Sequence, residues 1–318
     1  MVLICGIPSE PPVSLLSEAL EALGEPYLML NQRKLKNASI RVRIENNRLA
    51  GILSYNGIDY PLADFSGIYI RFIDELSLPE LKGLDGEHPD LKNYRHFQNT
   101  LLDYLEVADC RVVNPYSKMA SNNSKPYQAQ IAVEQGFLIP ETLITNKPKA
   151  VEEFWSQHPQ MIYKSISGVR SIVKKMDDDD WVKIHKIKNC PVQFQQQVQG
   201  YDVRVHVIGE LTVATRISTS NTDYRYINSD NSEYTILEPF SLQPELNEKC
   251  IALSKALGLN FSGIDLRITD TDEVYCFEVN PCPGYSYYEK NTSQEISVLL
   301  AEYLSNHDNY YKRVLGLL

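Results

Sequence analysis

Hydrophobic positions near the start of the chain follow a strand, helix, strand order. An apolar run predicts a buried strand over 2–7. Apolar residues at helical spacing then predict a helix over 13–23, which two prolines precede and Gly24 ends, and a second strand follows over 27–31. Because two parallel strands need a crossover of this kind, the pattern predicts a small parallel sheet.

Alternating apolar and polar residues extend this α/β pattern to about residue 115. Asn56-Gly57 separates two of the predicted strands and is typical of a two-residue hairpin turn. Further strands are predicted at 40–44, 49–55, 58–62, 67–72 and 111–114, with a helix at 91–107. Residues 1–115 are therefore predicted to form one N-terminal α/β domain.

Two more groups of elements are predicted in the rest of the chain. Residues 116–196 combine a helix that follows Lys125, a helix at 150–157 and two strands that flank a loop of small residues. Residues 197–318 combine antiparallel strands with helices at 246–257 and 294–305. The predicted fold class is thus α/β (α+β), with a central part and a C-terminal part after the first domain.

Three oxygen-bearing side chains are expected to meet on a hairpin near the end of the chain. Two apolar strands flank a polar turn, with Asp265 on the first strand and Glu278 and Asn280 on the second. Side chains alternate along a strand, so Glu278 and Asn280 point the same way, and the hairpin can bring Asp265 beside them. Two carboxylates and an amide oxygen are hard ligands that suit Mg²⁺. A solvated surface hairpin is the alternative interpretation.

One further segment favours an anion-binding role, and another places charged side chains on one face of a strand. Lys164 ends an apolar strand, and the loop after it contains Ser167 and Gly168, whose small size lets backbone N–H groups approach a phosphate. Asp202 and Arg204 lie on one face of a later strand that alternates with valines. The alternatives are an ordinary hairpin for the first segment and a solvent-facing strand for the second.

These segments, in this order, resemble the ATP-grasp ligases. The resemblance covers about half of the chain, from Lys125 to Gly284, and includes Ile139-Pro140-Glu141-Thr142 and the hinge-like Gln195-Gln196-Gln197-Val198. Within the family the chain is most similar to the RimK-like group, which includes ribosomal-protein glutamate ligases and the macrocycle-forming ligases of graspetide peptides. The resemblance implies an ATP-grasp fold, with an N-terminal pre-ATP-grasp domain and ATP bound between two α+β subdomains.

Roles for individual residues follow from the same resemblance. Arg204 and Arg216 are expected to stabilise the transferring phosphoryl group. The metal ligands are expected to be Asp265, Glu278 and Asn280. The implied cofactors are ATP and Mg²⁺, with two ions expected and Mn²⁺ as a substitute. The implied nucleotide-binding residues are Lys125, Lys164, Ser167, Gly168, Gln196, Gln197, Val198 and Asp202.

The implied reaction is the ATP-dependent joining of a carboxylate to an amine or a hydroxyl through an acyl phosphate, with ADP and phosphate as products. The carboxylate is expected to belong to a peptide, a protein or an amino acid. Two departures from the family pattern favour an alternative, a catalytically weak or inactive nucleotide-binding module. The phosphate loop has a single glycine, Gly168, and Gln196 replaces an acidic residue.

Three residues are candidates for substrate binding. Arg225 lies in a segment that carries Asp-x-Arg in related ligases and could clamp a carboxylate through two hydrogen bonds. Arg71 ends a parallel-type strand, at the edge of the sheet where ligands bind. Ser286 follows Pro283-Gly284 and is expected to line the acceptor pocket. Both arginines could equally form surface salt bridges.

The composition of the chain limits which binding partners and which cellular location are expected. The net charge of −10 disfavours a general nucleic-acid binder. No apolar run approaches the ~20 residues that span a bilayer, and the six scattered cysteines are typical of reduced thiols in a cytoplasmic protein. Membrane association is therefore not expected, and a homo-oligomer stays open. The acidic run 177–180 is interpreted as a polar turn that leads into a helix at Trp181.

Overall fold

A computed structural model of the chain describes residues 1–45, 47–165, 173–219 and 235–318. The predicted residues Ser167, Gly168 and Arg225 lie outside the described residues. The strands are β1 (Val2–Gly6), β2 (Tyr27–Asn31), β3 (Ala38–Glu45), β4 (Arg48–Tyr55), β5 (Ile58–Pro61), β6 (Gly67–Ile70), β7 (Arg111–Val113), β8 (Thr142–Thr145), β9 (Met161–Ser165), β10 (Lys174–Lys175), β11 (Val192–Gln196), β12 (Tyr201–Ile208), β13 (Leu211–Thr219), β14 (Thr235–Phe240), β15 (Phe261–Ile268) and β16 (Val274–Asn280).

Helices connect and cover these strands, and the mixed α/β fold class is confirmed. The α-helices are α1 (Pro11–Leu23), α2 (Pro89–Leu105), α3 (Tyr116–Met119), α4 (Lys125–Glu134), α5 (Pro148–Gln157), α6 (Asp178–Val182), α7 (Pro244–Ala256), α8 (Ser286–Thr292), α9 (Ile296–Ser305) and α10 (Asp308–Val314). None of the helices in the described residues is both long enough and apolar enough to cross a membrane.

The N-terminal region contains the predicted parallel sheet, with strand order β2-β1-β6-β7. Helix α1 provides the crossover and ends at Gly24, whose φ of 72° is the left-handed conformation that glycine adopts without strain. Strands β3, β4 and β5 form a separate antiparallel sheet, and the predicted Asn56-Gly57 hairpin joins the last two.

The N-terminal sheet shares one of its two cores with the end of the chain. Side chains of β1, α1 and β6 pack together with Leu300 and Leu304 of α9. The contact is close at Gly67, where a β-carbon would collide with the backbone of Leu304. Residues 1–115 therefore bury part of their apolar surface against the C-terminal part of the chain, and the predicted division at 115 and 196 stays a prediction.

Two antiparallel sheets form the remainder of the described fold. The central sheet has the order β10-β9-β11-β8, and the C-terminal sheet has the order β14-β13-β12-β15-β16. Both faces of β12 are buried: Val203 and Val205 pack towards α7, while Arg204 and His206 are on the opposite face. The interpretation of this second face as a solvent-facing strand is therefore wrong.

The acidic run does not form a separate turn before a helix. Asp177 caps α6, its side chain accepts a hydrogen bond from the Asp180 N–H, and the Asp180 side chain accepts one from the Asp177 N–H. Acidic side chains at the N-terminus of a helix stabilise it, because their negative charge interacts with the positive end of the helix dipole. The run therefore begins the helix, earlier than predicted.

Candidate active site

The neighbouring strands β12, β15 and β16 bring charged side chains together on one face. Their registers place Arg204 opposite Asp265, and Asp265 opposite Glu278. Directly opposed residues of antiparallel strands share a face. Arg204 Nη1 lies 2.6 Å from Asp265 Oδ1, and the Arg204 side chain is only 5% exposed. The predicted approach of the two carboxylates is thus present in the structure.

Asn280 completes the row of polar groups on this face. It lies opposite Gly263, two residues before Asp265 on β15. With the amide oriented so that both of its ends are satisfied, its nitrogen donates to Glu278 Oε1 at 3.0 Å and its oxygen accepts from Arg204 Nη1 at 3.2 Å. All three predicted metal ligands therefore belong to one hydrogen-bonded group.

Lys125 reaches the same group from helix α4. It is the first residue of that helix, and its Nζ lies 3.1 Å from Glu278 Oε2 and 2.9 Å from Asn122 Oδ1. One lysine and one arginine thus face two carboxylates. Each carboxylate has an opposite charge beside it in a partly buried setting, where such pairs interact more strongly than at the surface.

Gly263 makes room for the buried arginine. A β-carbon on Gly263 would collide with the Arg204 guanidinium. The ring of Tyr288 lies on another side of the guanidinium, with its centroid 5.7 Å from Cζ. Arg204 is therefore held between backbone and an aromatic ring. Gly263 is not among the site residues predicted from the sequence, although a glycine inside a strand often marks such a close approach.

A cleft between the central and C-terminal sheets adjoins the charged group. The space between the two sheets, including the part open to solvent, is about 790 Å³, of which the cavity proper is about 100 Å³. The central sheet and the hinge after it contribute Ile162, Lys164, Val173, Gln195, Gln196, Gln197 and Val198, and the C-terminal sheet contributes Asp202, Val203, Ile217, Asp265, Leu266, Arg267, Phe277 and Glu278. Most of the predicted nucleotide-binding residues that the structure describes line this cleft.

Arg267 is a cleft residue that sequence analysis missed. Its guanidinium donates two hydrogen bonds to the Asp202 carboxylate, at 2.8 and 2.9 Å, and a third to the Val198 carbonyl oxygen at 2.9 Å. It thereby fixes the hinge to the C-terminal sheet. The available signal was its position two residues after Asp265, which puts both side chains on the same strand face. Asp202 lines the cleft as predicted, with its carboxylate bonded to Arg267.

Arg216 does not join Arg204, contrary to the sequence-based expectation. Its partner across the sheet is Val203, so Arg216 lies on the opposite face of the sheet from Arg204. It is exposed, and its Cζ lies 4.2 Å from the centroid of the Tyr201 ring. The physical reason is strand alternation, because the residue opposite Arg204 is Thr215. The expectation that Arg216 and Arg204 act together on one face is corrected accordingly, since the two side chains lie on opposite faces of the sheet.

Arg71 and Ser286, the other two residues predicted to bind substrate, are not among the residues that line the cleft. Arg71 directly follows β6, and its Nε lies 2.6 Å from Glu10 Oε1. Its Nη1 donates to the loop after Asn280, so its guanidinium is bonded to the protein itself. This is not a surface salt bridge, since the Arg71 side chain is only 14% exposed. Ser286 begins α8 and is half-buried.

The donor set of Asp265, Glu278 and Asn280 fits a hard divalent cation because every available ligand atom is oxygen. No cluster of three or more acidic, histidine or cysteine side chains suited to a metal ion occurs within the described ranges. The site therefore depends on the Asn280 amide as its third donor. Nearby Cys282 is an unsuitable ligand, because burial raises the pKa of its thiol and a soft sulfur suits Mg²⁺ poorly.

Comparison with known proteins identifies the family to which the chain belongs. Residues 122–304 match the RimK-like ATP-grasp domain, and this is more than half of the chain. The chain therefore belongs to the RimK-like ATP-grasp family. The N-terminal region before residue 122 lies outside this match.

Two curated relatives are each similar to about two thirds of the chain. The probable alpha-L-glutamate ligase of Haemophilus ducreyi is 24% identical over 64% of this chain and 69% of its own length. The human beta-citrylglutamate synthase B is 27% identical over 65% of this chain and 56% of its own length. These relatives support ATP-dependent ligation as the general activity.

Solved structures extend the likeness to almost the whole chain. The RiPP-associated ATP-grasp ligase of Chryseobacterium gregarium, in complex with ADP and a leader and core peptide, covers 96% of each chain with a TM-score of 0.78 and 21% identity. The ATP-grasp ligase PsnB, complexed with a minimal precursor, Mg and ADP, covers the same shares with a TM-score of 0.78 and 22% identity. At this level of identity the likeness shows a common fold.

Proposed function

We propose that this protein is an ATP- and Mg²⁺-dependent ligase that joins a carboxylate to an amine or hydroxyl through an acyl phosphate, with ADP and phosphate as products. The observation that carries the proposal is the hydrogen-bonded group of Lys125, Glu278, Asn280, Asp265 and Arg204 beside the cleft. A ligase must neutralise a triphosphate and stabilise the charge that moves during phosphoryl transfer, and this group offers cations and metal-type oxygen donors together.

Each residue of the group has a distinct proposed task. Asp265, Glu278 and Asn280 would hold Mg²⁺, which supplies charge neutralisation to the phosphate groups when it is bound. Lys125 and Lys164 would add positive charge from helix α4 and strand β9. Arg204, buried and fixed in direction by Gly263, would donate to the phosphoryl oxygens as charge develops on them.

The hinge is proposed to hold the adenine ring. Gln196, Gln197 and Val198 line the cleft where the central sheet passes into β12. Adenine recognition by backbone groups needs only N–H and C=O, so glutamines are compatible at these positions. Arg267 would act indirectly, because its bond to the Val198 carbonyl oxygen keeps the hinge at a fixed distance from β15.

The proposed carboxylate substrate is that of a peptide, with a free amino acid as the second candidate. A peptide is supported by the near-complete structural likeness to a ligase bound to a leader and core peptide. A free amino acid is supported by the alpha-L-glutamate ligase relative, whose likeness covers a smaller part of this chain. Incubation with either class of substrate, ATP and Mg²⁺, followed by mass spectrometry, separates ligation to a peptide from ligation to an amino acid.

Calorimetric titration of ATP, with and without Mg²⁺, tests the nucleotide site. Wild type is expected to bind ATP with an affinity that Mg²⁺ increases, and Glu278→Gln is expected to lose that increase because one carboxylate ligand is gone. Glu273→Gln is the matched control, since Glu273 lies exposed on the turn of the same hairpin. Binding of ATP that Mg²⁺ does not affect, together with no release of ADP, would instead favour the nucleotide-binding module without ligase activity.

A further inference from the structure

The segment that follows the proposed metal ligands is held by side chains from the first part of the chain. Gln128 of α4 bonds to both backbone groups of Val279, at 2.7 and 3.2 Å. Asn114 Nδ2 donates to the Pro281 carbonyl oxygen at 2.5 Å. Arg71 Nη1 donates to the carbonyl oxygens of Cys282 and Pro283, at 3.4 and 3.2 Å. The backbone on each side of Asn280 is therefore fixed from outside its own sheet.

This external support compensates for the position of β16. The strand is at the edge of the C-terminal sheet: among the described residues it pairs with β15 on one side, and its other side meets Leu138 at Tyr275, well before Asn280. An edge strand has one row of backbone groups without ladder partners, and such groups require other partners when they are buried. Side chains of Gln128, Asn114 and Arg71 provide partners at and beyond its end, where the proposed ligand Asn280 lies.

The two N-terminal side chains are themselves fixed. Arg71 is bonded to Glu10, which directly precedes α1. Asn114 is 2% exposed, and its Oδ1 accepts hydrogen bonds from the N–H groups of Asn260 and Phe261, at 2.8 and 3.0 Å. Asn114 thus joins the end of β7, the start of β15 and the loop after β16 through one amide group.

We infer that Arg71 and Asn114 are positioning residues for the metal site, and that the N-terminal domain is in this way part of the active site. The inference rests on the proposed function, because it concerns the ligands Glu278 and Asn280. A metal ligand must be held close to its productive geometry by the residues that support it. The segment 279–283 transmits this support, since both neighbours of Asn280 in the chain are bonded to distant side chains.

The inferred role of Arg71 differs from the predicted role in substrate binding. Its Nε is bonded to Glu10, and its Nη1 has three acceptors in the loop, including Cys282 Sγ at 3.1 Å. A planar guanidinium can hold an acid on one side and several carbonyl groups on the other, whereas an ammonium group acts as a single point charge. These hydrogen bonds are those expected of a residue that supports a loop.

The test measures metal affinity separately from nucleotide affinity. Mn²⁺ is titrated into the full chain with saturating ADP and followed by the loss of the free Mn²⁺ electron paramagnetic resonance signal. ADP binding without metal is measured by calorimetry, and thermal unfolding reports the fold. Arg71→Met is expected to weaken Mn²⁺ binding about 10–100-fold, the usual effect of removing support from a metal ligand. Its ADP affinity without metal is expected to match wild type.

Two further variants make the result specific. Arg71→Lys keeps the charge beside Glu10 but loses the planar fork, so an intermediate loss of Mn²⁺ affinity is expected, and this variant also serves if Arg71→Met does not fold. Arg33→Met is the matched control. Arg33 also pairs with a glutamate in the N-terminal region, Glu80, but lies at the exposed surface away from the loop. It is expected to bind Mn²⁺ and ADP as wild type does.

The outcomes separate this inference from the proposed function. If wild type bound Mn²⁺ with ADP, and folded Arg71 variants bound it equally well, the positioning role would be overturned and the ligase proposal would stand. Equal losses of Mn²⁺ and metal-free ADP affinity would also overturn it, because they indicate general loosening of the fold. If wild type bound neither ADP nor Mn²⁺, the proposed function would fail and the inference with it.

Discussion

The C-terminal sheet and the N-terminal sheet contribute to the candidate site in different ways. Strands β12, β15 and β16 provide charged side chains on one face, at spacings that the sequence makes visible. The N-terminal sheet provides Arg71 and Asn114, which bond to backbone carbonyl groups of the segment after Asn280. A side chain that bonds to a backbone carbonyl group leaves no motif in the sequence, because every residue has such a group. Residues that meet the ligand are therefore easier to find than residues that hold them.

The two arginines on neighbouring strands give the largest expected contrast. Arg204→Ala removes a buried donor beside the two carboxylates, and turnover is expected to fall about 100–1000-fold, as when one preorganised donor is lost from an active site. Arg216→Ala removes an exposed side chain from the opposite face, and turnover is expected to stay near the wild-type value. Steady-state kinetics of ADP release measures both.

Thermal unfolding of Arg204→Ala separates lost chemistry from lost structure, because Asp265 loses its partner in this variant. Arg204→Lys, which keeps a positive charge in the same place, is the appropriate second variant. If Arg216→Ala reduced turnover as strongly as Arg204→Ala while both remained folded, the assignment of one catalytic face would be wrong. The sequence-based role for Arg216 would then be restored.

Much of the site could be predicted from strand alternation and from the order of the segments. Glu278 and Asn280 share a face because they are two residues apart on one strand, and the hairpin places Asp265 of the neighbouring strand on the same face. Arg216 was misplaced because its face depends on the register between β12 and β13. A shift of one residue would turn it to the other side, and the sequence does not specify that register. Its partner Val203 became known only from the structure.

Other features were hidden because they depend on distant partners. Arg267 looked like one more charge on a hairpin, and only the fold brings Asp202 and the Val198 carbonyl group to its guanidinium. Asn114 ended a short strand and carried no spacing signal. The parallel order of the N-terminal sheet was predictable from its crossover helix, whereas its shared core with α9 joins residues more than 200 positions apart, such as Val2 and Leu304.

Asn114→Ala tests whether the side chains of the N-terminal region support the structure around the site. The change leaves the buried N–H groups of Asn260 and Phe261 without their acceptor, and each unsatisfied group costs about 1–3 kcal/mol. A clear loss of unfolding free energy is therefore expected in chemical denaturation. Asn93→Ala, at an exposed position of α2, is the control and should change stability little. Equal stability of the two variants would remove Asn114 from the set of supporting residues.

Gly263→Ala tests whether the direction of Arg204 matters, because it removes no charged group and displaces only the guanidinium. The added methyl group collides with the guanidinium, and overpacking of this kind costs about 1–3 kcal/mol. Turnover is expected to fall as Arg204 moves away from Asp265. Gly86→Ala is the control, since a β-carbon there meets no neighbouring atom within 4 Å. Wild-type turnover in a folded Gly263→Ala variant would show that the site tolerates a displaced arginine.

The smallest expected effect is the contribution of the buried residue His206 to the pH dependence of stability. His206 is completely buried beside Phe261 and Tyr288, on the same strand face as Arg204. Burial, and secondly the charge of Arg204, hold the pKa of His206 well below its ordinary value of 6.5. The unfolded chain binds a proton on this residue near pH 6.5, while the folded chain does not until the pH is much lower.

Stability from His206 is therefore fully present above about pH 6.5 and is lost as the pH falls, by up to ~1.4 kcal/mol per pH unit. Denaturant unfolding between about pH 5 and pH 6.5 should show this slope in wild type, and His206→Phe should reduce it, because phenylalanine keeps an aromatic ring in the core and takes up no proton. His185→Gln, at an exposed position, is the control and should keep the slope. An unchanged slope in His206→Phe would mean that the acid sensitivity does not arise from His206, and that the histidine only fills the space between Phe261 and Tyr288.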